Sequence, residues 1–191
     1  MMKSQMRWLI GILVISLVTI HGCQDMTSVS EVAGVDDDVL ASHERARGVA
    51  NAVHPVLNFR SSLKGENEVP AVETNAQGQA IFQVNRDRSE MKFKVIVANI
   101  ENVHMAHIHL GQADKNGPVV VWLYPEGPPQ QVIEGRFQGT LAEGVITADN
   151  LVGMLAGSEI EDLIEEIRAG NTYVNVHTTQ NPPGEIRGQI E

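Results

Sequence analysis

From Asn58 onward the hydrophobic positions recur at every second residue, the period of a half-buried β-strand. Phe59 to Leu63 is a short candidate strand. Ala80, Phe82 and Val84 alternate with Gln79, Ile81 and Gln83. After a polar turn at Asn85–Arg88, Met91, Phe93, Val95 and Val97 alternate with Lys92, Lys94 and Ile96. Two such runs about a short turn predict a hairpin. Met105 to Leu110, Val119 to Tyr124, Ile133 to Leu141, Tyr173 to Thr178 and Glu185 to Ile190 extend the pattern. The turns are Asn116-Gly117-Pro118 and Asn181-Pro182-Pro183-Gly184. One segment changes period: Ile160, Leu163, Ile164 and Ile167 repeat at helical spacing. Ser158 with Glu161 has capping-box spacing, and Gly170 stands where a C-terminal cap glycine belongs. About eight strands with a single helical crossover predict an antiparallel Greek-key β-sandwich or barrel carrying one short inserted helix.

The N-terminal portion has a different pattern. Lys3 and Arg7 precede a mostly apolar run from Trp8 to Ile20, long enough for a signal-peptide core and too short to span a bilayer. The run ends at Ile20-His21-Gly22-Cys23, which resembles a bacterial lipobox, with His21 where a small residue is usual. Residues 1–22 are therefore expected to be a signal peptide, and Cys23 to carry a lipid that anchors the chain to a membrane outside the cytoplasm. Residues 23–57 are expected to be a tether, with a short helix after Asp36-Asp37-Asp38 that Pro55 ends. Residues 58–191 form the domain. Cys23 is the only cysteine, so the domain holds no disulfide and no thiolate metal site. Aromatic residues make up 4% of the chain, which favours a core of modest side chains over a large aromatic groove. The net charge of -10 argues against a nucleic-acid partner.

The unusual chemistry lies in HMAHIHLG, residues 104–111, where three of the chain's seven histidines fall together. On a strand, Met105, His107 and His109 share one face, and Ala106, Ile108 and Leu110 the other. The apolar face belongs to the core, so the imidazoles point away from it. The same parity puts Val174 and Val176 inward and Tyr173, Asn175 and His177 outward. If the two strands are close in the sheet, His107, His109 and His177 converge on one outer surface that loops can cover. Three imidazole nitrogens suit copper, zinc, iron or nickel, and Met105 as a fourth, soft donor favours copper. His104 has the wrong parity unless the strand begins after it. Asp114 and Glu185 are further oxygen donors to consider. The alternative is structural, with outward histidines holding loop backbone in place and Asn175 and Thr178 joining the network.

Three stretches together resemble a known family. AHIHLGQADKNGPVVVWL at 106–123 and YVNVHTTQNPPGEIRGQI at 173–190 are similar to the two signature stretches of the CHRD domain, named from chordin. LKGENEVPAVETNAQGQA at 63–80 resembles that family's opening segment. The resemblance spans about residues 58–191 and implies an extracellular domain of unclear biochemical role. A weaker similarity is to the Cu,Zn superoxide dismutases, in which a His-x-His strand and a late histidine ligate copper on the outer wall of a Greek-key barrel. It implies the same for His107, His109 and His177. The zinc-loop ligands and the structural disulfide of those enzymes have no counterpart here.

Glu185 and Arg187 share a strand face, which predicts either an imidazole-orienting pair or an ordinary surface ion pair. Glu66-Asn67-Glu68 offers oxygens that suit calcium, although a lone acidic loop is more often just solvated. No nucleophile elbow or phosphate-binding glycine loop occurs. The chain is expected to be an extracytoplasmic, lipid-anchored domain that binds a transition metal, copper before zinc, without catalysis. It would sit in a periplasm, at an outer membrane or at the cell surface. An interaction or scaffold domain with purely structural histidines is the alternative, and a dismutase-like copper enzyme comes third. No protein partner can be named from the sequence.

Overall fold

A computed structural model of the protein describes residues 57–191. The expected signal segment, Cys23, the tether and its helix lie outside the described residues. Among the described residues, no helix is long and apolar enough to cross a membrane.

Among the described residues the strands are β1 (Leu57–Lys64), β2 (Gln77–Val84), β3 (Met91–Leu110), β4 (Val119–Tyr124), β5 (Ile133–Ile146), β6 (Thr172–Thr178) and β7 (Ile186–Gln189), with one α-helix, α1 (Ile160–Arg168), before β6. All strand pairings are antiparallel. The sheet runs β2-β1-β7-β6-β3-β4, and β2 also pairs with β3, so the path closes into a barrel. β5 joins β3 as well. The mainly antiparallel barrel with one helix is the class that the alternating pattern predicts. Seven strands replace the expected eight, because the runs at 91–97 and 105–110 are two halves of the single 20-residue β3. The fourteen residues of β5 likewise run beyond Leu141, where its alternation fades.

β3 is the spine. Its first half pairs with β2 and β5, its second half with β6 and β4. Such a long strand must bend with the barrel, and bulges supply the bend. Its buried residues show how. Met91, Val95 and Val97 keep a two-residue period, and then the step becomes three: Ile100, Val103, Ala106. Register shifts fall between Val97 and Ile100, between Glu101 and Val103, and between Val103 and Met105. Asn99 and Asn102 take left-handed backbone, with φ of 56° and 52°, a conformation asparagine tolerates better than most residues. Both are held by β5. Gly135 N–H donates to Asn102 Oδ1 at 2.8 Å, and Arg136 Nη2 donates to Asn99 Oδ1 at 2.6 Å.

The core is aliphatic, with Phe82 its one fully buried phenylalanine. α1 adds Ile160, Leu163, Ile164 and Ile167, all buried. Its start differs from expectation by one residue. Glu159 is the N-cap, and its N–H donates to Asp162 Oδ2 at 2.8 Å. Glu161 is thereby free to pair with Arg88 across the domain. The helix ends as expected. Gly170 has φ 72°, its N–H bonds Ile167 O at 3.0 Å, and Asn171 N–H bonds Glu166 O at 2.9 Å, which is the Schellman pattern.

The loop between β3 and β4 folds tightly back on its own strand. A Cβ on Gly117 would lie 1.5 Å from Leu110 O, a backbone atom that cannot move aside cheaply. Gly117→Ala should therefore lower the denaturant midpoint strongly, by about 1–3 kcal/mol or more in stability. Gly127→Ala, where a Cβ meets nothing within 4 Å, should stay within about 0.5 kcal/mol of wild type. Equal urea midpoints for the two variants would contradict this packing.

Candidate metal centre

The outward face of the β3–β6 ladder carries the candidate residues. Met105 stands opposite His177, His107 opposite Asn175, and His109 opposite Tyr173. Ala106, Ile108, Val174 and Val176 occupy the other face and belong to the core. Strand parity therefore places the rings where the sequence puts them. Ring centres lie 5.0 Å apart for His107 and His177, 5.5 Å for His107 and His109, and 5.9 Å for His109 and His177. One candidate ligand atom from each of the three lies within 4.8 Å of the other two.

These rings face away from the core and yet are hidden from solvent. Exposure is 3% for His107, 8% for His109 and 6% for His177. The loops that cover them are fastened to the same polar face. Asn175 Nδ2 donates to both oxygens of Glu68, at 3.0 and 3.1 Å, which pins the β1–β2 loop. Thr74 and Thr178 donate to the two oxygens of Glu185, at 2.7 and 2.6 Å, tying the same loop to the β6–β7 turn. Arg187 donates to Asn116 Oδ1 at 3.0 Å, Gln112 O at 2.7 Å and Lys115 O at 2.8 Å, which pins the β3–β4 loop. Its guanidinium lies 3.4 Å from the centre of the Tyr173 ring, and His109 stacks on that ring at 4.9 Å and 8°. Trp122, beside His107 in the β3–β4 ladder, meets its ring edge-on at 4.4 Å.

Several expectations are corrected here. Arg187 is not half of a surface pair with Glu185. It is 1% exposed and spends its donors on loop carbonyls, because a buried guanidinium must have acceptors and a loop bent around it supplies them. Glu68 is not a solvated loop acid but a buried acceptor for Asn175. Asp114 is exposed, and Glu185 is committed to two hydroxyls. Among the described residues, His107, His109 and His177 form the one group of three or more His, Cys, Asp and Glu placed to hold an ion. Met105 is half-buried at its position opposite His177. Sequence reasoning left out His104. The third bulge makes it the extra residue of β3 and turns its ring toward the cluster, with its centre 6.2 Å from that of His177. The signal for that was the three-residue step from Val103 to Ala106, visible only once 91–110 is taken as one strand.

The hydrogen bonds assign the tautomers. His109 Nδ1–H donates to Gly117 O at 2.9 Å, and His177 Nδ1–H donates to Pro182 O at 2.9 Å. A neutral His177 then has its lone pair on Nε2, so His107 Nδ1–H donates to it at 3.1 Å. His107 Nε2 and His109 Nε2 are left buried and without a partner. The rings are also held neutral. Burial pushes the His107 pKa down to about 3, and His177, His109 and His104 add repulsion. Burial lowers His177 to about 4 against the opposing effect of its bond to Pro182, and burial lowers His109 as well. Neutral imidazoles suit metal binding, and at His109 and His177 a backbone carbonyl fixes the far nitrogen.

The same shifts set a pH dependence. A histidine with a depressed folded pKa binds its proton first in the unfolded chain, so stability falls as pH drops from about 6.5 toward the folded value. Glu68 opposes this, since burial raises it to about 7 and it takes up a proton on folding between that value and its ordinary 4.5. The histidines together outweigh the one carboxyl, so unfolding takes up protons on balance between about pH 6.5 and the folded values. In chelator, the melting temperature should fall from pH 7 to pH 5, and less steeply in His107→Gln. A pH-independent midpoint would overturn the assignment of neutral, buried rings.

The sequence model of the CHRD domain matches residues 59–190, from within β1 through β7. No curated protein and no solved structure matches the chain, so the weaker similarity to Cu,Zn superoxide dismutases gains no support from comparison. The match takes in all three histidines of the cluster, the loops fastened over them and the helix before β6, and by it the chain belongs to the CHRD domain family.

Proposed function

We propose that this CHRD domain is a non-catalytic binding module for a transition metal, copper in the first place and zinc in the second, held outside the cytoplasm on a lipid anchor. The observation that carries the metal reading is the set of buried, neutral imidazoles with unpartnered nitrogens at His107 and His109, gathered with His177 around one point. Unpartnered buried acceptors cost about 1–3 kcal/mol each. An ion would satisfy them together. The bonds to Gly117 and Pro182 stay in place because they use the other nitrogens, and only the His107–His177 bond gives way to free His177 Nε2 for the ion. Met105 is the sulfur donor placed nearest in register. The anchor rests on the apolar run before Cys23 and on the lipobox-like Ile20-His21-Gly22-Cys23.

A specific observation also favours a structural role: the same His109 and His177 tie down the two turns that carry Gly117 and Pro182. In that reading the domain is an interaction or scaffold module. The two readings separate in one experiment. Metal-depleted full-length protein in detergent, titrated with copper(II) in a calorimeter, should take up one equivalent, and His107→Ala, His109→Ala and His177→Ala should lose that uptake. Unchanged uptake in all three variants, or none in the wild type alongside lowered melting temperatures in the variants, would leave the structural role. A superoxide dismutation assay on the copper-loaded protein should show no turnover above free copper. The anchor is tested separately: Cys23→Ala should move the protein from the membrane fraction to the soluble extracytoplasmic fraction of its host. An unchanged distribution would remove the lipid from the proposal.

A further inference from the structure

We infer that His104 is a fourth nitrogen donor to the same ion and that it biases the site toward copper(II); this rests on the metal reading above. Two imidazoles bound to one ion through nitrogens about 2.0 Å away have ring centres roughly 4.5–6.3 Å apart, depending on the angle between them. The three pairs within the trio fit that interval, and so does His104 with His177 at 6.2 Å; its nitrogens do not lie within 4.8 Å of all three other rings, so His104 has to swing inward when the ion binds. His104 is 6% exposed, and its Nε2 is buried without a partner. Its Nδ1–H is held by Gln130 Oε1 at 2.9 Å. That repeats the arrangement at His109 and His177, with one nitrogen fixed by an oxygen acceptor and the other presenting its lone pair. His104 reaches this face only because the bulge between Val103 and Met105 re-aims it. A bulge sited so that a fourth ring joins three others is a device for placing that ring.

The fourth donor decides the metal. Three imidazoles and a sulfur favour soft, reduced copper, whereas four nitrogens favour the tetragonal geometry of copper(II). His104 and Met105 are adjacent in the chain and compete for this role. Copper(II)-loaded full-length protein in detergent, examined by electron paramagnetic resonance with nitrogen hyperfine analysis, distinguishes them. Four coupled nitrogens are expected in the wild type and in Met105→Leu. Three are expected in His104→Ala and His104→Gln, with copper affinity lowered about tenfold or more. His104→Gln keeps a polar side chain of similar reach, so it reports even where His104→Ala fails to fold. Three nitrogens in the wild type, or spectra and affinities unchanged in both His104 variants, would overturn the inference while leaving the three-histidine site intact. A wild type that takes up no copper would instead bring down the metal reading itself.

Discussion

A strand sends successive side chains to opposite faces, and the whole site depends on how β3 obeys that constraint and then departs from it. One strand must supply core residues to both halves of a closed barrel while the barrel turns beneath it. Strict alternation from Met91 would carry the apolar positions off the core as the strand bends. Three register shifts, at two of which β3 carries the extra residue, reset the phase, so that Ile100, Val103 and Ala106 return inward. After the last reset, Ala106 and Ile108 are inside and His107 and His109 are on the opposite face beside β6. The core and the histidine cluster are thus fixed by the same register. A slip of one residue in the second half of β3 would bury imidazoles among aliphatic side chains and expose the aliphatics to the polar loops.

The polar face is a layer in its own right. Its charged and amide groups, Glu68, Asn175, Glu185 and Arg187, are each bonded to a loop or to one another. The histidines differ. His104, His107 and His109 each use one ring nitrogen in a hydrogen bond and leave the other buried and unpaired, whereas His177 uses both. A face built only for stability would replace such groups with apolar ones at a gain, since an unmet acceptor costs more than a satisfied one contributes. The unspent Nε2 atoms of His104, His107 and His109 are the groups on this face available for a ligand, on rings that also hold loops or neighbours through Nδ1.

Much of this was legible in the sequence, because it depends on period two. The alternation of β2, the first half of β3 and β6, the helical spacing of Ile160, Leu163, Ile164 and Ile167, and the shared face of His107, His109 and His177 are all local patterns. What was not legible depends on contacts distant in sequence. Joining 91–97 to 105–110 required the bulges at Asn99 and Asn102, and asparagine in a left-handed conformation leaves no periodic trace. Arg187 looked like an exposed partner for Glu185 at i+2, but the β3–β4 loop, some 70 residues earlier in the chain, folds over it. Glu68 looked solvated for the same reason: its partner Asn175 is more than a hundred positions away.

The enclosure of the cluster bears on what such a centre can do. Rings less than a tenth exposed, under loops tied down by Glu68, Glu185 and Arg187, admit an ion only when a loop opens locally. Rapid turnover of an external substrate needs a coordination position that stays open to solvent, and these covered rings do not favour one. The chain as a whole is acidic, with a net charge of -10, which draws cations and repels anions such as superoxide. Enclosed rings and an acidic chain suit retention of a cation better than catalysis on an anion.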